Sequence, residues 1–224
     1  MSDEPRVQVH ADRASLATTV ATRFIAKLID LVEEFGEANV VLTGGTMGEA
    51  VLEAVRTAPN VSAVPWGRVN VWWGDERWLP AGDVERNDTL ARRALLDHIP
   101  VDPARVHPMP ASDGGLDLDA AAIAYEAEIA AAAPSHLSLP PFDIVFLGVG
   151  PDGHVASLFP NADGVQERDR LVIPVRNSPK PPPERLSLTL PVINSSARVW
   201  MVLAGADKAS ALGRWAEVDF VATG

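Results

Sequence analysis

The chain has 224 residues, of which 47% are hydrophobic and 22% are charged, an ordinary composition for a globular protein. Its formal net charge of −11 disfavours nucleic acid as a partner, because that binding depends on Lys and Arg neutralising phosphates. The absence of cysteine excludes disulfides, thiolate metal sites and a Cys nucleophile, and no apolar run is long enough to span a membrane. Residues 1–13 lack the apolar core of an export signal, so we expect a cytoplasmic protein that does not bind membranes.

The first half of the chain alternates between strand-like and helix-like patterns. Apolar residues recur at three- and four-residue steps from Leu16 to Phe35, which predicts a helix that ends at Gly36. "NVVLTGG" is typical of a buried strand that runs into a glycine turn. In chain order, the predicted elements are a strand at 6–10, a helix at 13–35, a strand at 39–45, a helix at 46–58, a strand at 69–76 and a helix at 87–99.

The second half contains the most apolar predicted strand, "FDIVFLGVG" at 142–150. The chain then turns through Asp152 and His154 and is predicted to continue as a helix. An alanine-rich helix at 117–133 precedes this strand; strands at 170–175, 185–190 and 198–205 and a short helix at 206–216 follow it.

Near-continuous apolar strands separated by helices predict a mostly parallel sheet with helices on both faces. We therefore expect one α/β domain over residues 1–224, a doubly wound, Rossmann-like three-layer sandwich, with or without a small lid. In such sheets ligands bind beyond the carboxyl ends of the strands. Polar residues that directly follow predicted strands are therefore the candidate site residues.

The strand at 39–45 runs into the turn "TGGTMGEA". Its two glycines let the backbone approach a ligand closely, and Thr46 with Glu49 fits a capping box that begins a helix. Free N–H groups at a helix N-terminus bind anions, so Gly44, Gly45 and Thr46 are candidates for a phosphate site. The alternative is a tight turn followed by a well-capped helix.

The strand at 69–76 ends in "GDERW", and Asn87 lies a little further along the chain. Arg77 can form a planar fork to a phosphate or to a developing oxyanion, and Asp75 is a candidate catalytic carboxylate. The alternative is a cluster of ion pairs on the rim of the sheet.

The triplet Asp152-Gly-His154 follows the most apolar strand, which should lie at the centre of the sheet. An isolated triplet of this kind is usually a turn with a surface histidine. At the end of a central strand, however, a neutral His154 can take a proton from water and is a candidate general base. Either Asp152 or Asp75 could orient its imidazole. The other histidines show no metal-type spacing, so no metal site is expected.

Two cationic segments complete the set of candidates. "SPKPPPERLSLTLP" carries Lys180 and Arg185 on a stiff loop that leads into a strand; a plain connector or an SH3-type ligand would have the same composition. "LAGADKASAL" places Lys208 in the first turn of a predicted helix, where it opposes the helix dipole. A bound anion would remove that objection, and solvation would also make it tolerable.

Taken together, these segments resemble the 6-phosphogluconolactonase family, within a wider fold group that includes glucosamine-6-phosphate deaminase. The resemblance implies hydrolysis of 6-phospho-D-glucono-1,5-lactone in the pentose phosphate pathway, with that small molecule as the partner and without metal or organic cofactor. The matching segments are "LTGGT" (42–46), "WGDERW" (73–78) with Asn87, "VHPMP" (106–110), "GVGPDGHVASLFP" (148–160), "SPKPPPERLSLTLP" (178–191) and "GADKASAL" (205–212).

The resemblance also implies a role for individual residues. His154 matches the proposed general base, and Arg77 and Arg185 match cationic groups of the pocket. Lys208 matches a phosphate-contacting lysine of the deaminase relatives. We add Asn87, Lys180 and Arg185 as candidate contacts to the substrate or its phosphate. The glycine turn at 44–46 matches the loop at the substrate phosphate.

The end of the chain departs from the family pattern, in which another strand and a final helix usually follow Leu212. We expect the segment from about residue 213 to be atypical or truncated. Deaminase relatives carry a glutamate shortly after the Asp-Gly-His triplet, whereas this chain has no carboxylate between His154 and Asp163, which favours the lactonase. Two non-catalytic functions compete with it: a sugar-phosphate sensor with an N-terminal DNA-binding module, and a catalytically inactive homologue. We expect a monomer or a weak homo-oligomer.

Overall fold

The computed structural model describes residues 6–205, and a four-stranded parallel sheet forms its centre. Both inner strands are buried at every position, which accounts for their long apolar runs. The strand predicted at 142–150 is one of the two, so its expected place at the sheet centre is confirmed. Numbered in chain order, the strands run across the sheet as β2 (Val69–Trp73), β1 (Ala38–Leu42), β4 (Ile144–Leu147) and β7 (Val199–Met201).

Helices cover both faces of this sheet, which confirms the doubly wound arrangement. On one face Phe24 packs edge-on against Phe146 of β4, with ring centroids 5.1 Å apart. On the opposite face Trp72 of β2 packs against Tyr125, with centroids 6.2 Å apart. Within residues 6–205, no helix has the length and apolarity needed to cross a bilayer. The α-helices are α1 (Arg13–Phe35), α2 (Gly45–Thr57), α3 (Asn87–Ala94), α4 (Leu118–Ala132) and α5 (Leu190–Asn194).

The bounds of α1 agree with the sequence-based prediction because both ends carry clear caps. Asp12 accepts a hydrogen bond from the backbone N–H of Ser15 at 2.7 Å, and the Ser15 hydroxyl accepts one from the backbone N–H of Asp12 at 3.2 Å. At the other end Gly36 adopts a left-handed conformation and closes the last turn. The N-terminal cap fixes Arg13 as the first residue of the helix.

A second, antiparallel sheet branches from the end of β2, in the order β3 (Asp75–Arg77), β6 (Arg185–Leu188), β5 (Val172–Val175). Gly74 joins the two sheets, because its N–H donates to the Leu42 carbonyl at 3.0 Å and its carbonyl accepts from Leu188 N–H at 2.8 Å. The strands predicted at 170–175 and 185–190 therefore exist, but they pair in this separate sheet, which the sequence did not predict.

A buried tyrosine fixes the end of β2, from which β3 departs. The Tyr125 hydroxyl accepts from the backbone N–H of Trp73 and donates to the carbonyl of His107, both at 3.1 Å. The ring of His107 stacks on Trp72 with centroids 3.8 Å apart. Helix α4 therefore holds the strand end that leads into Asp75.

Several local predictions are wrong. Residues 6–10 form no strand, and Val7 and Val9 are 70% and 88% exposed. No α-helix directly follows His154, where the chain forms turns and isolated β-bridges. The helix predicted at 87–99 ends at Ala94; the helix predicted at 206–216, Lys208 and the end from residue 213 lie outside the described residues.

The capping box predicted from Thr46 and Glu49 is also absent. Helix α2 begins at Gly45, and its N-cap Gly44 makes no side-chain hydrogen bond. Glu49 pairs instead with Arg93 of α3 at 2.5 Å. Among the described residues, therefore, no side chain caps the N-terminus of α2, where the sequence predicts a candidate anion site.

Candidate active site

A cavity of about 430 Å³ lies at the carboxyl ends of the parallel strands. The segments that follow β1, β4 and β7 form its walls, and β3 and β6 of the second sheet contribute further side chains. The sequence predicted a ligand site at this edge of the sheet. Among the described residues, four cationic side chains line it, from Arg13, Arg77, Lys180 and Arg185, together with Asp75, Asn87, His154, Ala156 and the segments 43–48, 148–150 and 202–204.

The N-terminus of α2 forms one wall of the cavity. Gly45 has a φ of 77°, a left-handed conformation that glycine adopts without steric cost, and this turns the chain from β1 into the helix. The first turn of a helix carries unpaired N–H groups and a partial positive charge. Since no side chain within residues 6–205 caps α2, this wall can bind an anion.

Side chains alternate between the two faces of β3. Asp75 and Arg77 point to one face and Glu76 to the other. In the antiparallel pairing with β6, Asp75 lies opposite Ser187 and Arg77 lies opposite Arg185. Asp75 and both arginines line the cavity, so β3 and β6 together place two guanidinium groups and one carboxylate at its wall.

Asp75 is buried, and its hydrogen bonds connect three segments of the chain. One carboxylate oxygen accepts from the Ser157 hydroxyl at 2.7 Å and the other from the Asn87 amide at 3.3 Å. The Asn87 amide also donates to the backbone carbonyl of Asp75 at 2.8 Å. These bonds join β3 to the start of α3 and to the loop after His154. The His154 ring donates its hydrogen bond to a different carboxylate.

The carboxylate that orients His154 is Asp152. Its Oδ1 lies 2.6 Å from Nδ1 of His154. An ionised carboxylate only accepts hydrogen bonds, so Nδ1 carries the proton and Nε2 of the neutral ring keeps its lone pair. Gly150 provides the space for this arrangement, because a Cβ atom there would lie 2.1 Å from the His154 ring.

The environment of His154 sets its protonation. Burial lowers the pKa of His154 below its usual value; the hydrogen bond to Asp152 opposes this shift and the positive charge of Lys180 reinforces it. Burial alone would raise the pKa of Asp152, but the hydrogen bond from His154 and the nearby Lys180 bring it below its usual value. The pair at pH 7 is therefore a neutral imidazole beside an ionised carboxylate, as a general base requires.

A buried ionic network holds the start of α3 behind β3. Glu76, 1% exposed, accepts from the backbone N–H groups of Arg77 and Asn87 on one oxygen, at 2.8 and 2.7 Å, and from that of Asp88 on the other, at 2.8 Å. The Arg86 guanidinium lies 3.7 Å from its carboxylate. Burial raises the pKa of Glu76 to about 7, although Arg86 and the N–H donors oppose the shift. The network fixes the position of Asn87 at the cavity wall.

Two buried polar atoms of cavity-lining residues have no hydrogen-bond partner among the described residues. They are Nε of Arg77 and Oδ1 of Asn87, and Nε1 of Trp73 is the third such atom in this part of the chain. Leaving a buried polar atom unpaired costs about 1–3 kcal/mol. The position of two such atoms on cavity-lining residues is consistent with a site for a polar ligand.

The structure brings most of the predicted site residues together. Asp152 lies behind His154 rather than on the wall, and Lys208 is outside the described residues. Sequence reasoning missed Arg13, Ser157 and the pair Glu76 and Arg86. The residues predicted for the site that line the cavity are Gly44, Gly45, Thr46, Asp75, Arg77, Asn87, His154, Lys180 and Arg185.

Cationic side chains, a helix N-terminus and an oriented imidazole at the strand ends are typical of an α/β enzyme that acts on a small anionic substrate. It belongs to the family described as Glucosamine-6-phosphate isomerases/6-phosphogluconolactonase, whose family model matches residues 11–221. The predicted family is therefore confirmed.

Individual relatives are similar along nearly all of the chain. A 6-phosphogluconolactonase of Streptomyces coelicolor is 52% identical over 216 residues, which cover 95% of this chain and 83% of that protein. A 6-phosphogluconolactonase of Mycobacterium leprae is 45% identical over 208 residues, which cover 92% of this chain and 83% of that protein. The crystal structure of 6-phosphogluconolactonase from Thermotoga maritima superposes with a TM-score of 0.79 at 28% identity, covering 92% of this chain and 88% of that one.

Proposed function

We propose that this chain hydrolyses 6-phospho-D-glucono-1,5-lactone to 6-phospho-D-gluconate, a step of the pentose phosphate pathway. Its family and relatives named 6-phosphogluconolactonase, at up to 52% identity, support this activity. The structural observation that carries the proposal is the Asp152–His154 pair beside a cavity lined by cations. A lactone carbonyl is already electrophilic, so an activated water is a sufficient nucleophile.

In the proposed reaction, His154 acts as the general base. Nε2 removes a proton from a water molecule, and the water oxygen attacks the lactone carbonyl carbon. Arg77 or backbone N–H groups of the cavity wall stabilise the oxyanion of the tetrahedral intermediate. The ring C–O bond breaks as the intermediate collapses, and the proton on His154 passes to the departing ring oxygen, which becomes a hydroxyl. Asp152 holds Nδ1 throughout and stabilises the transient imidazolium.

The phosphate group of the substrate is negatively charged and needs a site with a fixed positive charge. We place it at the N-terminus of α2, against Gly44, Gly45 and Thr46. Arg13, the first residue of α1, adds a positive charge to the same cavity. Asn87 and Lys180 remain candidates for contacts to the sugar. A phosphate contact by Lys208 stays a prediction.

Isomerisation or deamination of an aminosugar phosphate is less well supported. The next carboxylate after His154 along the chain is Asp163, and it is exposed. This chain therefore lacks the glutamate expected shortly after the Asp-Gly-His triplet in deaminases. A cytoplasmic location and a monomeric or weakly oligomeric state stay predictions.

The direct test is lactone hydrolysis by the purified chain, corrected for spontaneous hydrolysis, with two histidine variants. His154→Asn should lower kcat by about 10²–10⁴-fold with KM nearly unchanged, because the general base is lost. His98→Asn is the matched control, since His98 is exposed, does not line the cavity and bonds the carbonyl of Arg93. A wild-type chain that deaminates glucosamine-6-phosphate but does not hydrolyse the lactone would overturn the function. A folded His154→Asn variant within a few-fold of wild type would overturn the assigned base.

A further inference from the structure

Arg185 uses its hydrogen-bond donors within the protein. Its side chain is buried, and Nε donates to the carbonyl of Pro182 at 3.2 Å. One terminal nitrogen donates to the carbonyls of Lys180 and Pro181, at 3.1 and 3.0 Å. The other donates to the Ser157 hydroxyl at 3.4 Å and lies 3.9 Å from the carboxylate of Asp75.

This pattern differs from that of an arginine that binds a phosphate. Such an arginine presents its planar fork to two oxygens of the ligand. In Arg185 the edge formed by Nε and one terminal nitrogen faces three consecutive backbone carbonyls instead. The guanidinium thus binds the backbone of residues 180–182 from one side and holds their three carbonyls together.

The loop at 178–183 has further internal bonds that fix its shape. The backbone N–H of Ser178 donates to the carbonyl of Pro183 at 2.9 Å. The Ser178 hydroxyl donates to the carbonyl of Lys180 at 2.8 Å and accepts from its backbone N–H at 3.2 Å. The backbone N–H of Lys180 is therefore bonded by Ser178, and its carbonyl is bonded by both Ser178 and Arg185.

The fixed backbone sets the origin of the Lys180 side chain. Its Nζ lies 3.8 Å from Oδ1 of Asp152, the oxygen that bonds Nδ1 of His154. A continuous set of contacts therefore runs from Arg185 through the loop to Lys180, and from there to the Asp152–His154 pair.

We propose that Arg185 is a positioning residue, which holds the loop at 178–183 so that Lys180 lies beside the Asp152–His154 pair. The proposal rests on the proposed lactonase activity, and it replaces the direct substrate or phosphate contact that we predicted for Arg185 from the sequence. It also gives Ser157 a role, since this hydroxyl joins Arg185 to Asp75 and so to β3.

The proposal has a specific electrostatic consequence at His154. Among the described residues, the charges that act on its ring are Asp152 in the same turn, Lys180 from the loop and Asp75 from β3, while Arg13, Arg77 and Arg185 line the same cavity. Burial is the largest cause of the lowered pKa of His154, and Lys180 lowers the pKa further. Displacing Lys180 removes a positive neighbour, so the pKa of His154 should rise and its basic form should appear at higher pH.

A double-mutant cycle tests this path. Arg185→Met should lower kcat because it misplaces Lys180, and misplacing a supporting group by about 1 Å typically costs about 10²-fold. Lys180→Met removes the same group and should lower kcat as well. The double variant should fall no further than the single ones, because both act through the same ammonium group. The ascending limb of the kcat/KM profile should move to higher pH in all of them. Arg168→Met is the matched control, since Arg168 also binds two backbone carbonyls, at 2.8 and 2.7 Å, but is exposed and away from the cavity.

A direct phosphate contact by Arg185 predicts other results. Arg185→Met would then lose activity on the phosphorylated lactone but not on glucono-1,5-lactone, its effect would add to that of Lys180→Met, and the pH limb would not move. These outcomes would overturn the proposal, whereas equal losses on both lactones would support it. If Arg185→Met does not fold, Arg185→Lys serves instead, since it keeps the charge but its single ammonium nitrogen cannot occupy the positions of Nε and both terminal nitrogens at once.

The pKa of His154 can also be measured without any activity, by NMR titration of its ring in the unliganded chain. An upward shift in Arg185→Met that matches the shift in Lys180→Met supports the positioning role even if the chain hydrolyses a different substrate. No shift in Arg185→Met, with a shift in Lys180→Met, overturns the role whatever the substrate is. The failure of the positioning role and the failure of the lactonase function are therefore distinguishable.

Discussion

Replacing Asp152 with Asn changes the charge next to His154 while keeping the size of the side chain. The carboxylate holds Nδ1 at 2.6 Å in a charge-assisted hydrogen bond, a type worth about 1.5–3 kcal/mol. The Asp152 side chain is 39% exposed, so water screens part of this interaction and the lower end of the range applies. A loss of about 1.5 kcal/mol in the transition state lowers kcat about tenfold. An amide that turns its NH₂ group toward Nδ1 would favour the wrong tautomer and lower kcat further.

The pH dependence of the same variant has a definite sign. The hydrogen bond and the negative charge of Asp152 both raise the pKa of His154, against the dominant lowering by burial. Asp152→Asn should therefore lower the pKa of His154 and move the ascending limb of kcat/KM to lower pH. The variant should have a lower kcat and yet reach its plateau at a more acidic pH than the wild type.

Steady-state lactone hydrolysis over a pH series, corrected for spontaneous hydrolysis, measures both effects. Asp163→Asn is the control, because Asp163 lies on the same stretch of chain, is exposed and does not contact His154. A folded Asp152→Asn variant with wild-type kcat and an unmoved ascending limb would refute the assignment of Asp152. Asp75, which also acts on the pKa of His154, would then be the better candidate.

Two further predictions concern binding and stability. Arg13→Gln should raise KM for the phosphorylated lactone, measured by initial rates, and leave hydrolysis of glucono-1,5-lactone unchanged; Arg23→Gln, an exposed position on the same helix, should change neither. Burial raises the pKa of Glu76 from its ordinary 4.5 to about 7, so the folded chain retains this proton more tightly than the unfolded chain. The free energy of unfolding should therefore fall as the pH rises between those values. Urea titrations at about pH 5 and about pH 7 measure this fall, and Glu76→Gln should remove the part of it that Glu76 causes. An identical slope in the variant would contradict that account of Glu76.

The helices were predictable to the extent that their signals are local. The apolar spacing and the C-terminal glycine of α1 predict its bounds, because both depend on residues within a few positions of each other. The capping box from Thr46 and Glu49 fits the same local rules, yet Glu49 pairs with Arg93 of α3. A tertiary partner thus overrode a local pattern, and the sequence contains no signal for that pairing.

Strand partners were less predictable than strand positions. β3 has only three residues and continues directly from β2 along the chain, so no sequence pattern indicates that it leaves the parallel sheet at Gly74. The segment at 6–10 shows the opposite error, since its alternating valines are exposed and pair with no strand in the described part of the chain. Pairing depends on contacts between distant segments, which a single sequence does not specify.

The candidate site was found because carboxyl ends of parallel strands meet at one edge of a sheet. That rule selects residues that follow strands, such as His154 and Arg77. It cannot select Arg13, which begins a helix, or Ser157, whose role depends on a bond of 2.7 Å to Asp75, 82 positions away in the chain. Buried polar networks of this kind become visible only when the partners are known.

The base strength of His154 depends on two segments with opposite effects. Asp152 raises its pKa and Lys180 lowers it, while burial gives the largest lowering. A carboxylate that acted with no opposing charge would favour the imidazolium, and a protonated ring cannot accept a proton from water. Burial is the main counter to that tendency, and the ammonium group of Lys180 adds to it while the loop at 178–183 keeps its shape. Asp152→Asn and Arg185→Met should therefore move the ascending limb of the pH profile in opposite directions although both lower kcat, and combining them should bring the limb back toward its wild-type position without restoring the rate.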